Sequence, residues 1–192
     1  MDRWQLKNTI GQSKLWVYST AFIMSFNGGY INSFSLVSIL KNSVGYVTGN
    51  LTISAEYLEK GDYHNFIYLF ILVFCFLLGS VLSGLIVKNQ NFKIDRRYDT
   101  SLLAQSVLVI ASLFLLLNGY HQSSYLLALT MGMQNAMTTH YSSALIRTTH
   151  MTGTMTDLGV LISHWIRGRE VHFWKIRLYL LLILGFSTGT IL

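Results

Sequence analysis

Proline is missing from all 192 residues, and cysteine occurs once. Without proline, any break in a helix is left to glycine and to polar side chains, because the ring that usually kinks a helix is absent. A lone thiol, Cys75, can form neither a disulfide framework nor a thiolate metal site within one chain, and its place inside an apolar run reads as packing. Charge is scarce as well. Asp, Glu, Lys and Arg make up 11% of the chain against 52% apolar residues, and they fall between long apolar runs instead of alternating with them. That pattern excludes a set of amphipathic soluble helices and fits an integral membrane protein.

What is present is length of apolar run. Phe66 to Val87 carries no charge, and at about 1.5 Å rise per residue such a run matches a hydrocarbon core of about 30 Å. Spans are predicted over 15–40, 66–87, 101–118, 123–146 and 172–192, with two further helix-like pieces, 44–59 and 150–166, too short and polar to cross. The net charge of +6 does not point to nucleic acid, since the basic residues are divided among short loops with no single patch. Counted by alternate loops, Lys and Arg fall twelve against two. This bias places the N-terminus in the cytoplasm with five crossings. Arg3, Lys7 and Lys14 precede the first span, which is long and lacks a small-x-small cleavage site, so it reads as a retained helix and not a signal peptide.

The two short pieces carry VTGNLT (Val47 to Thr52) and MTGTMT (Met151 to Thr156). Thr48 and Thr152 lie 104 positions apart, as do Gly28 and Gly132 in the preceding spans, while Gly79 with Ser83 and Gly185 with Gly189 follow at a shift of 106. An internal repeat is read over 15–118 and 119–192 of one membrane domain. An odd number of crossings per unit makes the repeats inverted, so the fold class is an all-α polytopic bundle with about 3+3 spans and two broken or re-entrant helices. The chain stops at GFSTGTIL inside an apolar run, so the last span of the second unit is expected to be missing.

Polar groups in lipid must find partners or line a cavity. The first span offers Asn27 and Asn32, the fourth Gln134 and Asn135, and these serve either as hydrogen-bonding glue or as a polar lumen. In the short pieces, Thr48, Gly49, Asn50, Thr152, Gly153 and Thr154 read as capped helix starts. Glycine there allows close backbone approach, and Thr154 with Asp157 has capping-box spacing. A capped start presents free N–H groups and a positive dipole end, suited to an anion or a polar head. Arg147 reads as a cytoplasmic anchor of the fourth span, or as a partner of Asp157 or of an anionic substrate. Gly79 and Gly185 read as close helix-packing positions.

His140, His150 and His164 lack ligand spacing, and no carboxylate pair accompanies them, so no metal site or cofactor is expected. No Ser-His-Asp, Cys-His or paired-carboxylate set suggests an enzyme, and no catalytic residue is assigned. The residues thus point to a small transporter or channel for an anionic or polar small solute, with the site between the two TG helix starts. The alternative is a non-catalytic membrane partner or assembly protein using its polar helices and small-residue faces. Partners are the lipid bilayer, such a solute, and a second copy in a homo-oligomer.

GYIN (Gly29 to Asn32), VTGN (Val47 to Asn50), MGMQNA (Met131 to Ala136) and RTTHMTGTMTDLG (Arg147 to Gly159) together resemble the DUF1275 or YoaK-like family of bacterial multi-pass membrane proteins, over most of the chain and in the same order. The resemblance implies a bacterial inner-membrane protein of about six helices and no particular activity. In one place the chain departs from it: the family's first motif usually reads Gly-aromatic-x-Asp, and Asn32 stands at the last position, which removes a protonatable group from the first polar span.

Overall fold

The computed structural model describes residues 14–38, 40–87 and 96–192. The basic residues at 1–13 and 88–95, which entered the topology count, lie outside them. Among the described residues there are seven α-helices and no strand: α1 (Lys14–Val37), α2 (Val47–Glu59), α3 (Tyr63–Ile86), α4 (Arg96–Leu117), α5 (Ser123–Tyr141), α6 (Met151–Ile166) and α7 (Phe173–Ile191). The five predicted spans and two short helices all appear as helices. Three of them, Tyr63–Ile86, Tyr98–Leu117 and Phe173–Ile191, are long and apolar enough to cross a membrane by length and composition. Serine, threonine and asparagine dilute α1 and α5 below that mark.

The short helices end by the same device. Gly61, at φ +73°, and Gly168, at φ +69°, take the left-handed conformation that side chains resist. Around each turn the N–H groups of Gly61 and Asp62 reach back to Leu58 and Tyr57, and those of Gly168 and Arg169 to Trp165 and His164. These are Schellman closures, which satisfy helix-end carbonyls and turn the chain sharply. Directly after the first, Asp62 caps α3 by accepting from the Asn65 N–H at 3.1 Å.

Helix partners are exchanged between the two parts of the chain. The most extensive contacts join α1 to α7 and α3 to α5, while α4 covers α5 and α2 leans on α3. Tyr18 donates to the carbonyl of Trp174 and Ser33 to that of Thr190, so α1 and α7 run parallel. Tyr68 donates to Ser124 and Ser80 to the carbonyl of Gly132, so α3 and α5 also run parallel. Gln105 meets Met137 and Ser112 meets Ser123, which makes α4 antiparallel to α5. Glycine brings these backbones together: a methyl at Gly79 or Gly132 would strike the carbonyl of Leu129 or Phe76, and one at Gly29 or Gly189 that of Phe186 or Phe26.

Two apolar clusters sit at opposite ends of this bundle. One gathers Val17 and Ala21 of α1 with Tyr141, Ile146, Leu158, Leu178 and Leu182; the other gathers Ile31 of α1 with Leu40, Val44, Leu72, Leu127 and Met131. Along both α1 and α5, the stretch between the clusters is polar. The outward faces of α3 and α4 carry Phe70, Phe74, Leu77, Leu85, Leu103, Ile110 and Phe114, all exposed on the protein. A soluble protein would not leave so large an apolar surface open, and lipid is its natural solvent.

Candidate functional site

The polar layer is a hydrogen-bonded knot where α1 crosses α5. Asn27 Nδ2 donates to Gln134 Oε1 at 2.6 Å, and Gln134 Nε2 donates to the Met24 carbonyl at 2.8 Å and to Thr148 Oγ1 at 3.1 Å. Asn135 Oδ1 accepts from Thr148 Oγ1 and from the Thr149 N–H, both at 3.2 Å. Its Nδ2 donates to Thr149 Oγ1 at 2.7 Å. Ser25 donates to the Thr148 carbonyl at 2.9 Å. The amides of Gln134 and Asn135 are therefore occupied from within, which is the glue reading of those residues. Burying an amide without such partners costs about 1–3 kcal/mol, so the knot also fixes where the loop before α6 must lie.

A smaller version of the same anchor sits on α1. Asn32 Oδ1 accepts from the Gly45 N–H at 2.7 Å and from Ser43 Oγ at 2.9 Å, and Asn50 Nδ2 donates to the Ser43 carbonyl at 2.9 Å. Asn32 thus holds the residue just before the N-cap of α2, as Asn135 holds the residue just before the N-cap of α6. Gly45 and Thr149 are 104 positions apart. Gly28 faces Thr149, with a methyl there only 2.8 Å from Thr149 Cγ2. Both loops are therefore fixed to one face of α1, at Gly28 and Asn32, which are one turn or about 6 Å apart along the axis.

The TG motifs do not cap their helices. The N-cap residues are Tyr46 (φ −96°, ψ 65°) and His150 (φ −87°, ψ 63°), with no side-chain cap at either. The helices begin one residue before each threonine, so Thr48 and Thr152 fall in the first turn, where both side chains are exposed. Glycine has a different task from the expected approach of a ligand or a neighbouring helix. The Tyr46 ring lies where a methyl at Gly49 would be, and the His150 ring where one at Gly153 would be. Each N-cap ring folds back over its own first turn, and only glycine leaves it room.

The capping box is also absent. Thr154 is buried and donates to the His150 carbonyl at 3.1 Å, one turn back along its own helix. Asp157 instead accepts from the Tyr179 hydroxyl at 3.4 Å, which ties α6 to α7. Arg147 is exposed and makes no ion pair with Asp157; among the described residues the ion pair is Lys60 with Glu56, on the surface of α2. Asn27, Gln134 and Asn135 are thus brought together, Asn32 with Asn50 forms a second group, and Thr48, Thr152, Arg147 and Asp157 stand outside both. Ser25, Ser43, Tyr46, Thr148, Thr149 and His150 belong to the site as well; RTTHMTGTMTDLG contains three of them, but its pattern assigns them no role. The 104-residue shift could have found four of them, since it pairs Tyr46 with His150 and Gly45 with Thr149, next to Thr148.

The profile of a family described as "Protein of unknown function (DUF1275)" matches residues 20–192, and the chain belongs to that family. No curated protein and no solved structure matches it.

Proposed function

We propose that this DUF1275 protein is a small, non-enzymatic transporter or channel of the bacterial inner membrane, passing an anionic or polar small solute between the starts of α2 and α6. The observation that carries the reading is that both loops lie against one face of α1, a turn apart, one packed on Gly28 and the other bonded to Asn32. Two helix starts without side-chain caps, so placed, bring first-turn N–H groups and positive dipole ends near the same stretch of α1, which suits a negative or polar group. The exposed rings of Tyr46 and His150 cover those starts and are the pieces that a passing solute would displace.

Inverted repeats with a cytoplasmic N-terminus account for the rest. In a five-crossing topology α1 and α7 point outward and α3 and α5 inward, so each pair must be parallel, and α4 must oppose α5. The side-chain contacts run in those directions. Exchange of partners between the units is what an intertwined pair of repeats needs to bury its polar spans. The partner-protein reading loses its best surface, because the faces at Gly79 and Gly185 are filled by α5 and α1 of the same chain.

The test is flux in vesicles with Thr48→Val, Asn50→Val, Thr152→Val and Thr154→Val, each checked for folding by its thermal midpoint. Loss of flux in folded variants supports the reading. Flux at the unsubstituted level in all four refutes it.

A further inference from the structure

A cleft of about 760 Å³ opens where the loop after α1, the end of α2, the start of α3 and the turn between α4 and α5 meet. Its cationic and donor groups are Lys41, His64 and His121, and its aromatic walls include Tyr57, Tyr120 and Tyr125. No Asp or Glu lines it. Of the carboxylates close by in sequence, Glu56 is paired with Lys60, and Asp62 has its two oxygens taken by the N–H and side-chain amide of Asn65. One wall is tied firmly, since Tyr68 donates to Ser124 at 2.8 Å, Ser124 to the His121 carbonyl at 2.8 Å, and the Tyr68 and Tyr125 rings pack at 5.5 Å. Lys41 itself sits at φ 54°, a left-handed conformation that side chains resist and that gathers at functional sites.

We propose that this cleft binds a small aromatic oxyanion, its phosphate or carboxylate held by Lys41 and the two imidazoles and its ring by the tyrosines. The chemistry follows from the lining: positive and donor groups without an opposing acid select a negative head, and phenol rings give flat apolar area with hydroxyl donors at the edge. Lys41 and Asn42 line the cleft, and Ser43 and Gly45, which follow them in the chain, are held by Asn32. Its role as the outer capture site for the solute rests on the transport reading above; the binding itself does not.

Binding is measured by calorimetry on the full chain in phosphatidylcholine nanodiscs, with phenyl phosphate as the probe. Phenyl phosphate binds at least tenfold tighter than inorganic phosphate, and benzamidine, a cation of similar shape, does not bind. Lys41→Gln and His121→Gln, both at exposed positions, each weaken phenyl phosphate about tenfold, which is about 1.4 kcal/mol. Benzamidine binding as well as phenyl phosphate, or unchanged affinity in both variants, overturns the proposal. Competition from phosphatidylglycerol nanodiscs assigns the same oxyanion site to a lipid headgroup; no competition assigns it to a free solute. Phenyl phosphate binding without flux of any solute removes the transport reading and leaves the cleft. Flux that persists with unchanged KM in the two variants removes its role in capture.

Discussion

In the last turn of α1 Val37 is 70% exposed, while 104 positions later Tyr141, at the end of α5, is 9% exposed; Ile23 and Leu127, equally spaced, stand at 57% and 5%. The two helices hold the same posts, each ahead of a loop, an N-cap ring over glycine and a short helix. Their surroundings differ. α5 is enclosed by α3, α4 and the crossing of α1, whereas α1 has α7 and that crossing but, among the described residues, no counterpart of α4. Apolar side chains facing lipid lose little by the lack of a protein neighbour, so the open face of α1 is tolerable in a membrane. What an enclosed helix gives up is freedom to move aside.

The sharpest way to break this contrast is to force both helix crossings apart by one methyl. Gly132→Ala drives its Cβ into the Phe76 carbonyl on the enclosed side, and Gly29→Ala does the same to Phe186 on the open side. Overpacking of this kind costs about 1–3 kcal/mol. Gly132→Ala is expected near about 3 kcal/mol and Gly29→Ala at about half of that, since α1 can shift toward lipid. Unfolding in mixed detergent micelles measures both, and equal losses would mean that enclosure does not control the response. Gly84 and Gly159, with open space around them, serve as controls that alanine leaves unharmed.

The second contrast lies in the anchors. Asn135 makes two bonds to Thr149 and one to Thr148, whereas Asn32 makes one to Gly45 and one to Ser43. Asn135→Ala leaves more buried groups unpaired and is expected to cost about 2 kcal/mol, against about 1 kcal/mol for Asn32→Ala. Both bonds of Asn32 end on its oxygen, so Asn32→Asp keeps both acceptors and recovers stability over alanine. An aspartate no better than alanine would show that the carboxamide nitrogen matters.

How much of this was legible follows from what each signal encodes. Apolar run length gave the five long helices to within five residues at each end, because crossing a bilayer fixes length and composition together. The polar residues of α1 and α5 were visible as a set, and Asn27, Gln134 and Asn135 do meet. The pairing of Gln134 and Asn135 with Thr148 and Thr149 was not visible, because the loop that carries the threonines is placed by tertiary contact. The capping reading failed by two residues: Thr48 and Thr152 are good N-caps by type, but the N-cap of each helix lies two positions earlier, at a ring that no capping preference favours. Periodicity also names helices without naming neighbours, so the pairing of α1 with α7 and α3 with α5 had to come from coordinates.

The N-cap rings give a smaller and more symmetrical effect. Gly153→Ala displaces the His150 ring and Gly49→Ala the Tyr46 ring, each expected to cost about 1 kcal/mol, because the obstacle is a movable side chain and not a backbone. Removing the ring first should abolish the cost. The pairs Gly153→Ala with His150→Ala and Gly49→Ala with Tyr46→Ala are therefore non-additive by most of that amount in double-mutant cycles. Additive losses would mean that ring and glycine are independent.

The smallest expected difference is between the starts of α3 and α7. α3 is capped by Asp62, while His172 at the start of α7 makes no side-chain cap. The N–H of Asn65, then its side-chain amide, holds the Asp62 carboxyl below its ordinary value of 3.8. A carboxyl whose pKa is depressed by folding stabilises the fold above its unfolded value, and that contribution fades as pH falls through the lower, folded value. Asp62 is only partly buried, so solvent screens its charge and the effect is small. Asp62→Asn keeps a capping side chain but cannot titrate, since asparagine caps about as well as aspartate. The variant should match the parent below the folded value and fall slightly behind above pH 4, where only the parent carries a negative charge at the positive end of α3. A gap that stays the same from pH 2 to 7 would mean that the charge on Asp62 contributes nothing to the start of α3.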